Sequence, residues 1–212
     1  MTNYRIERAK DPQDLARQAC ETVAAQIDLA LDQRDRCQIA LSGGSTPASA
    51  YSLLGQERLP WDRVDVVLGA ERWVAADDAS SNAGMLRRTL LAPGPGASAA
   101  FHPVPTVELE SPEASAQAFA DQLSQLCPGA PPVFDVMLLG LGDDGHTASL
   151  FPGTEAPAVL DRWTTIGRGK GLDRITMTAP VLSAARQVIF LVSGAGKQDC
   201  LLYTSPSPRD CQ

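Results

Sequence analysis

Three short stretches carry the side chains best suited to chemistry. In GLGDDGHTASLFPG, residues 140–153, Gly140, Gly142 and Gly145 shape a loop that presents Asp143, Asp144 and His146, one of two histidines in the chain. An unperturbed imidazole titrates at about 6.5, so a histidine beside a carboxylate can serve as a general base at neutral pH. The carboxylate would fix the ring and stabilise the imidazolium as it forms. Two other uses remain open: a histidine closing a turn, and a cation held by one histidine and two aspartates. The second is the weaker, because no further histidine lies nearby.

The next stretch, LSGGSTP, holds Ser42, Gly43, Gly44, Ser45 and Thr46 after an apolar strand, with Pro47 expected at the first helical position. Glycines permit close approach and positive φ, free N–H groups meet the helix dipole, and three hydroxyls add donors. That is a cradle for a phosphate. A plain strand–helix turn capped by Ser45 or Thr46 is the alternative. No lysine follows the glycines and no G-x-G-x-x-G is present, so neither a nucleotide P-loop nor a dinucleotide site is indicated. The third stretch is LGAERWV, residues 68–74, where Arg72 can pair with a phosphate or polarise a carbonyl. A surface ion pair with Glu71 is the competing reading. His102, in a proline-flanked loop without glycine or carboxylate neighbours in sequence, is expected to be structural.

Five apolar runs are expected to be the strands that position these loops: 36–41, 64–69, 134–140, 174–179 and 187–194. They are apolar throughout rather than alternating, as strands buried on both faces of a parallel sheet are. Helices are expected between them. Leu15, Ala19, Val23, Ile27 and Leu31 form one stripe within 12–33, and 47–54, 82–91 and 111–126 are the others, the last opening on Ser-Pro-Glu. The alternation implies an α/β fold with a mostly parallel sheet.

Bulk properties bound the answer. The chain has 212 residues, enough for one core, and a formal net charge of −7 with three lysines against fifteen arginines. Nucleic acid is therefore not the expected partner, and an anionic substrate needs a local cluster of cations. No apolar run is long enough for a membrane span, and the first residues lack a signal core, so a cytoplasmic protein is expected. Five cysteines, Cys20, Cys37, Cys127, Cys200 and Cys211, show no C-x-x-C spacing, which suits reduced thiols.

LSGGSTP, ERWV, Ser81–Asn82, LLGLGDDGHTASLFPG, RITMTAPVL and SGAGK occur in that order. Together they resemble the 6-phosphogluconolactonase family over residues 5 to 200. The related glucosamine-6-phosphate deaminases share the DGH core but continue with Asn-Glu-Pro-Gly where this chain has Leu150-Phe151-Pro152-Gly153. The resemblance implies a Rossmann-like α/β fold of the sugar-phosphate isomerase/deaminase type, a mostly parallel sheet flanked by helices, in one domain over 1–200. It implies hydrolysis of 6-phospho-D-glucono-1,5-lactone, with a phosphorylated sugar lactone as partner, no cofactor and no metal, in a monomer or weak homo-oligomer. His146 would activate water with Asp144 in support. Ser42, Gly43, Gly44, Ser45 and Thr46 would hold the phosphate, helped by Arg174 and Lys197, and Arg72 would face the substrate and stabilise the oxyanion.

Two departures stand out. The family usually has DERWV where this chain has Ala70 before Glu71, which removes a carboxylate expected in the site. The family also continues past Lys197 with a helix, and loss of that helix is expected to expose apolar sheet surface. Here a helix beginning near Lys197 would meet Pro206 and Pro208. Residues 201–212 resemble translated adaptor sequence and are expected to be a non-native tail. A non-catalytic sugar-phosphate binding protein is the second reading, and a glucosamine-6-phosphate deaminase the third.

Overall fold

The computed structural model describes residues 5–197. Cys200, Cys211 and the expected tail at 201–212 lie outside them. In chain order the elements are α1 (Pro12–Gln33), β1 (Cys37–Leu41), α2 (Ser45–Leu54), β2 (Val64–Leu68), β3 (Ala70–Arg72), α3 (Asn82–Arg88), β4 (Ala100–His102), α4 (Pro112–Leu126), β5 (Val136–Gly140), β6 (Thr164–Gly169), β7 (Leu172–Met177), α5 (Ala179–Ala184) and β8 (Gln187–Leu191).

Helix α1 begins where Asp11 accepts hydrogen bonds from Gln13 N and Asp14 N and Pro12 takes the first helical position. Its buried face, including Ala19, Val23 and Ile27, packs on β1, β5 and α2. Helix α4 repeats the device with Ser111 and Pro112, and buries Phe119 and Leu123 next to β6 and β7. Among the described residues, no helix is long and apolar enough to cross a membrane.

The main sheet is parallel, in the order β4-β2-β1-β5-β8. Its three central strands bury Ile39 to Leu41, Val66 to Leu68 and Val136 to Leu139, which explains their unbroken apolar sequence. At its edge, β8 leaves Phe190 about half exposed. One expectation fails here. The run at 174–179 is not a fifth parallel strand. Its first part lies in β7, the centre of a separate antiparallel sheet ordered β3-β7-β6, and α5 begins at Ala179. Ile175 and Met177 are fully buried there, so the apolar signal was real but its sheet was not. The chain passes between the two sheets at Gly69, whose N–H donates to Leu41 O at 2.9 Å while its carbonyl accepts from Met177 N at 2.9 Å.

His102 lies on β4, not in a loop, and it does meet a carboxylate. Its Nε2 is 2.9 Å from Asp65 Oδ1, and Arg36 forks onto the same group at 2.7 and 2.8 Å. Burial alone would push the Asp65 carboxyl up, but the hydrogen bonds from Arg36 and His102 outweigh it and hold it below the usual carboxylate range. Arg36 precedes β1, Asp65 is the second residue of β2 and His102 the last of β4, so the cluster ties these three neighbouring strands together.

Candidate active site

From β1 the sheet grows outward through β2 and β4 on one side and through β5 and β8 on the other. The switch point therefore lies between β1 and β5. Ligands of open α/β sheets bind outside the carboxyl ends of the strands at such a point. The loops leaving there are 42–44 and 141–147, two of the stretches singled out above.

The first loop is pinned by Tyr51 of α2. Its hydroxyl accepts from Ser42 N and donates to Ser42 O, both at 3.0 Å. Burial pushes the phenol up, so it stays neutral and can do both. The N-terminal flank of α2 is Gly44, at φ 119°, and no side chain caps it. Ser45 and Thr46 are the first helical residues, so neither is the cap, and Pro47 is third rather than first. The missing N–H costs nothing at the third position either, because the first four have no intrahelical partner. What results is an uncapped positive helix end behind a glycine turn. Thr46 Oγ1 lies 2.9 Å from Ser193 Oγ and ties this loop to the segment after β8.

The histidine loop is closed by Gly142 N donating to His146 O at 2.7 Å. His146 Nδ1 is 2.5 Å from Asp144 Oδ1, and the His146 backbone N–H donates to the same oxygen at 3.2 Å. An ionised carboxylate only accepts, so Nδ1 carries the hydrogen and Nε2 presents its lone pair. Burial pushes the Asp144 carboxyl up, but the hydrogen bonds from His146 offset this and leave it below the ordinary carboxylate range. The ring fits because residue 142 has no side chain: a Cβ there would sit 2.0 Å from Nδ1. Phe151 packs against the imidazole, with ring centroids 4.5 Å apart. On the outer side, Lys197 Nζ is 2.5 Å from Asp143 Oδ1 and holds that carboxyl low by its hydrogen bond and charge. Among the described residues, no three His, Cys, Asp or Glu side chains converge as a metal site requires.

Arg72 and Arg174 stand directly opposite each other in the β3–β7 pair. Arg174 lies over the Phe151 ring, 5.2 Å from its centroid, so that ring has His146 and Arg174 as neighbours. Burial and then the like charge of Arg72 lower the Arg174 pKa. The Arg72–Glu71 ion pair, the competing reading of this stretch, is not formed side chain to side chain. Arg72 Nη1 donates to Ser80 O at 2.6 Å and Asn82 Oδ1 at 3.0 Å. Glu71 instead accepts from Arg72 N, Asn82 N and Ala83 N at 2.7–2.9 Å, so it anchors the start of α3. Ala70 is buried at the head of β3, and its carbonyl accepts from Asn82 Nδ2 at 3.1 Å.

Among the described residues, three buried polar atoms around this edge lack a hydrogen-bond partner: Ser42 Oγ, Thr147 Oγ1 and Arg174 Nε. Each such group costs about 1–3 kcal/mol unless something satisfies it. Two hydroxyls and a guanidinium are what an oxygen-rich anion would satisfy. The sequence-derived residues thus form one connected group. Gly43 touches Asn82, Asn82 touches Arg72, Arg72 faces Arg174, Arg174 and His146 share Phe151, and Lys197 joins through Asp143. Direct contact between the 42–46 loop and His146 is not among these links. Local sequence assigns no role to Tyr51 or Ser193, whose partners lie 9 and 147 residues away. Thr147 and Phe151 sit inside the histidine stretch, where glycines and charges carry the visible signal.

Residues 10–206 match the family described as glucosamine-6-phosphate isomerases/6-phosphogluconolactonase. A 6-phosphogluconolactonase of Synechocystis sp. is 44% identical over 192 residues, covering 89% of this chain and 80% of its own. One from Nostoc sp. is 41% identical over 209 residues, covering 97% of this chain and 87% of its own. Among solved structures, the 6-phosphogluconolactonase of Trypanosoma brucei matches with a TM-score of 0.84 at 32% identity, over 94% of this chain and 86% of its own. A monomeric glucosamine-6-phosphate deaminase matches with a TM-score of 0.78 at 18% identity, a likeness of fold alone.

Proposed function

The chain belongs to the family of glucosamine-6-phosphate isomerases and 6-phosphogluconolactonases, and from that membership we infer that it hydrolyses 6-phospho-D-glucono-1,5-lactone to 6-phospho-D-gluconate in the oxidative pentose phosphate pathway. The observation that carries the mechanism is the His146–Asp144 pair, closed on Nδ1 and open on Nε2, at the switch point beside an uncapped helix end. In this reading Nε2 takes a proton from water as its oxygen attacks the lactone carbonyl. The tetrahedral intermediate then expels the ring oxygen, and the imidazolium returns the proton to it as the C5 hydroxyl forms. Water is the only co-reactant that the balance needs. Asp144 stabilises the imidazolium and keeps the ring in the productive tautomer.

The phosphate binds at Ser42, Gly43, Gly44, Ser45 and Thr46, where backbone donors and the α2 dipole meet it. Arg174 and Lys197 supply cations, with Lys197 exchanging or sharing its Asp143 partner. Arg72 faces the lactone end and stabilises the developing oxyanion. Anchoring the phosphate orients the ring for attack, so remote binding energy lowers the barrier. The relatives favour the lactone over an amino sugar, and Leu150-Phe151-Pro152-Gly153 after the DGH core agrees with them. Parallel assays test this: rapid lactone opening above the spontaneous rate, with no ammonia from glucosamine 6-phosphate, is expected. Ammonia release, or sugar-phosphate binding with no turnover of either compound, contradicts it.

A further inference from the structure

Asn82, the first residue of α3, uses both ends of its carboxamide. Oδ1 accepts from Arg72 Nη1 at 3.0 Å, and Nδ2 donates to Ala70 O at 3.1 Å. The orientation is set by chemistry: turned over, the amide would point N–H groups at a guanidinium and oxygen at a carbonyl. The same amide lies against the backbone of Gly43. A Cβ at that position would sit 2.0 Å from Asn82 Oδ1 and 2.5 Å from Nδ2. One side chain therefore touches both the glycine loop after β1 and the cation on β3.

Its surroundings are rigid. The Glu71 carboxylate accepts from Asn82 N at 2.9 Å, Ala83 N at 2.7 Å and Arg72 N at 2.8 Å. Ser80 O accepts from Arg72 Nη1 at 2.6 Å, so both hydrogens of Nη1 are engaged, and among the described residues the Nε–Nη2 edge has no hydrogen-bond partner. Capping does not explain Asn82, because Ser81 is the N-cap and accepts from Gly84 N.

We propose that Asn82 is a positioning residue for substrate binding, which fixes the spacing between the glycine loop and the open edge of Arg72 before the ligand arrives. The two then grip one phosphorylated sugar as a preset pair, and less ordering is needed on binding. The proposal rests on the reading of residues 42–46 and Arg72 as substrate-binding.

The test is a cycle of Asn82→Ala, Gly43→Ala and the double variant, titrated with 6-phosphogluconate by calorimetry and assayed on the lactone. Asn82→Ala is expected to weaken binding and raise KM by about tenfold, the worth of one charge-assisted hydrogen bond. A fall in kcat is expected as well, because Arg72, which loses its Asn82 anchor, stabilises the developing oxyanion. A methyl at residue 43 should cost clearly less binding once the Asn82 amide is gone, because the atoms it strikes are absent. Binding by Asn82→Ala within about twofold of wild type, or an equal cost of Gly43→Ala in both backgrounds, overturns the proposal. Should Asn82→Ala not fold, Asn82→Ser, whose hydroxyl suits a helix start, reads the same loss. A wild-type protein that binds 6-phosphogluconate but does not open the lactone defeats the lactonase reading and leaves the Asn82 comparison intact.

Discussion

Replacing His146 with asparagine is expected to lower kcat for lactone hydrolysis by ~10²–10⁴-fold while 6-phosphogluconate still binds. The imidazole is held at Nδ1 by Asp144 at 2.5 Å and packed against Phe151, so Nε2 is the atom free to take a proton from water. An asparagine amide can still donate to Asp144, and its size keeps the loop filled, but its nitrogen cannot accept a proton at neutral pH. The loss should therefore fall on kcat, as expected for an interaction realised in the transition state. Initial rates corrected for spontaneous opening, with a calorimetric titration of the product, check this. Retention of more than about a fifth of the wild-type kcat removes His146 from the role of base, because a positioned base contributes far more.

A single methyl elsewhere on the histidine loop should do nearly as much damage without replacing either side chain. In Gly142→Ala the added Cβ would lie 2.0 Å from His146 Nδ1, 2.3 Å from Cε1 and 2.6 Å from Asp144 Oδ1. No such contact is tolerated, so the ring or the carboxylate must move. The loop cannot simply yield, because Gly142 N is bonded to His146 O at 2.7 Å. A misplacement of about 1 Å costs on the order of 10²-fold in rate, and that is the expected fall in kcat. Gly140→Ala is the control. It lies two residues away at the end of β5, and a Cβ there meets nothing within 4 Å. Kinetics and thermal melts of the two variants side by side separate lost geometry from lost stability. Comparable kcat for both would mean that the histidine's exact seat does not matter.

The central strands were legible because burial on both faces leaves unbroken apolar runs, as in β1, β2 and β5. Helices α1 and α4 were legible from their stripes and their Asp11-Pro12 and Ser111-Pro112 starts. The run at 174–179 misled for the same physical reason: a buried antiparallel strand under α4 is as apolar as a parallel one. The missing cue was the turn. Lys170 and Gly171 both take positive φ, at 56° and 80°, and join β6 to β7 as a two-residue hairpin. Strands β3 and β4 have three residues each, too few for any periodicity to register.

The site was legible where chemistry is local. His146 and Asp144 are two residues apart, and the glycines beside them mark the loop. Connections between loops were not legible. Glu71 looks like a partner for the adjacent Arg72 side chain, yet it faces the backbone of α3, 11 and 12 residues on. Thr147 had no role from sequence, and that its hydroxyl, like Ser42 Oγ and Arg174 Nε, is buried without a partner among the described residues is a property of packing and not of sequence.

The most direct test of a phosphate-anchored lactone hydrolase compares kcat/KM for 6-phospho-D-glucono-1,5-lactone with that for unphosphorylated glucono-1,5-lactone, followed by NMR against the spontaneous rate. The reacting ester is the same in both, so the ratio reports only what the 42–46 loop and its cations add. Two or three charge-assisted hydrogen bonds to the phosphate predict a preference of at least ~10³-fold for the phosphorylated lactone. Equal values for the two lactones, or no acceleration of either, would contradict the account.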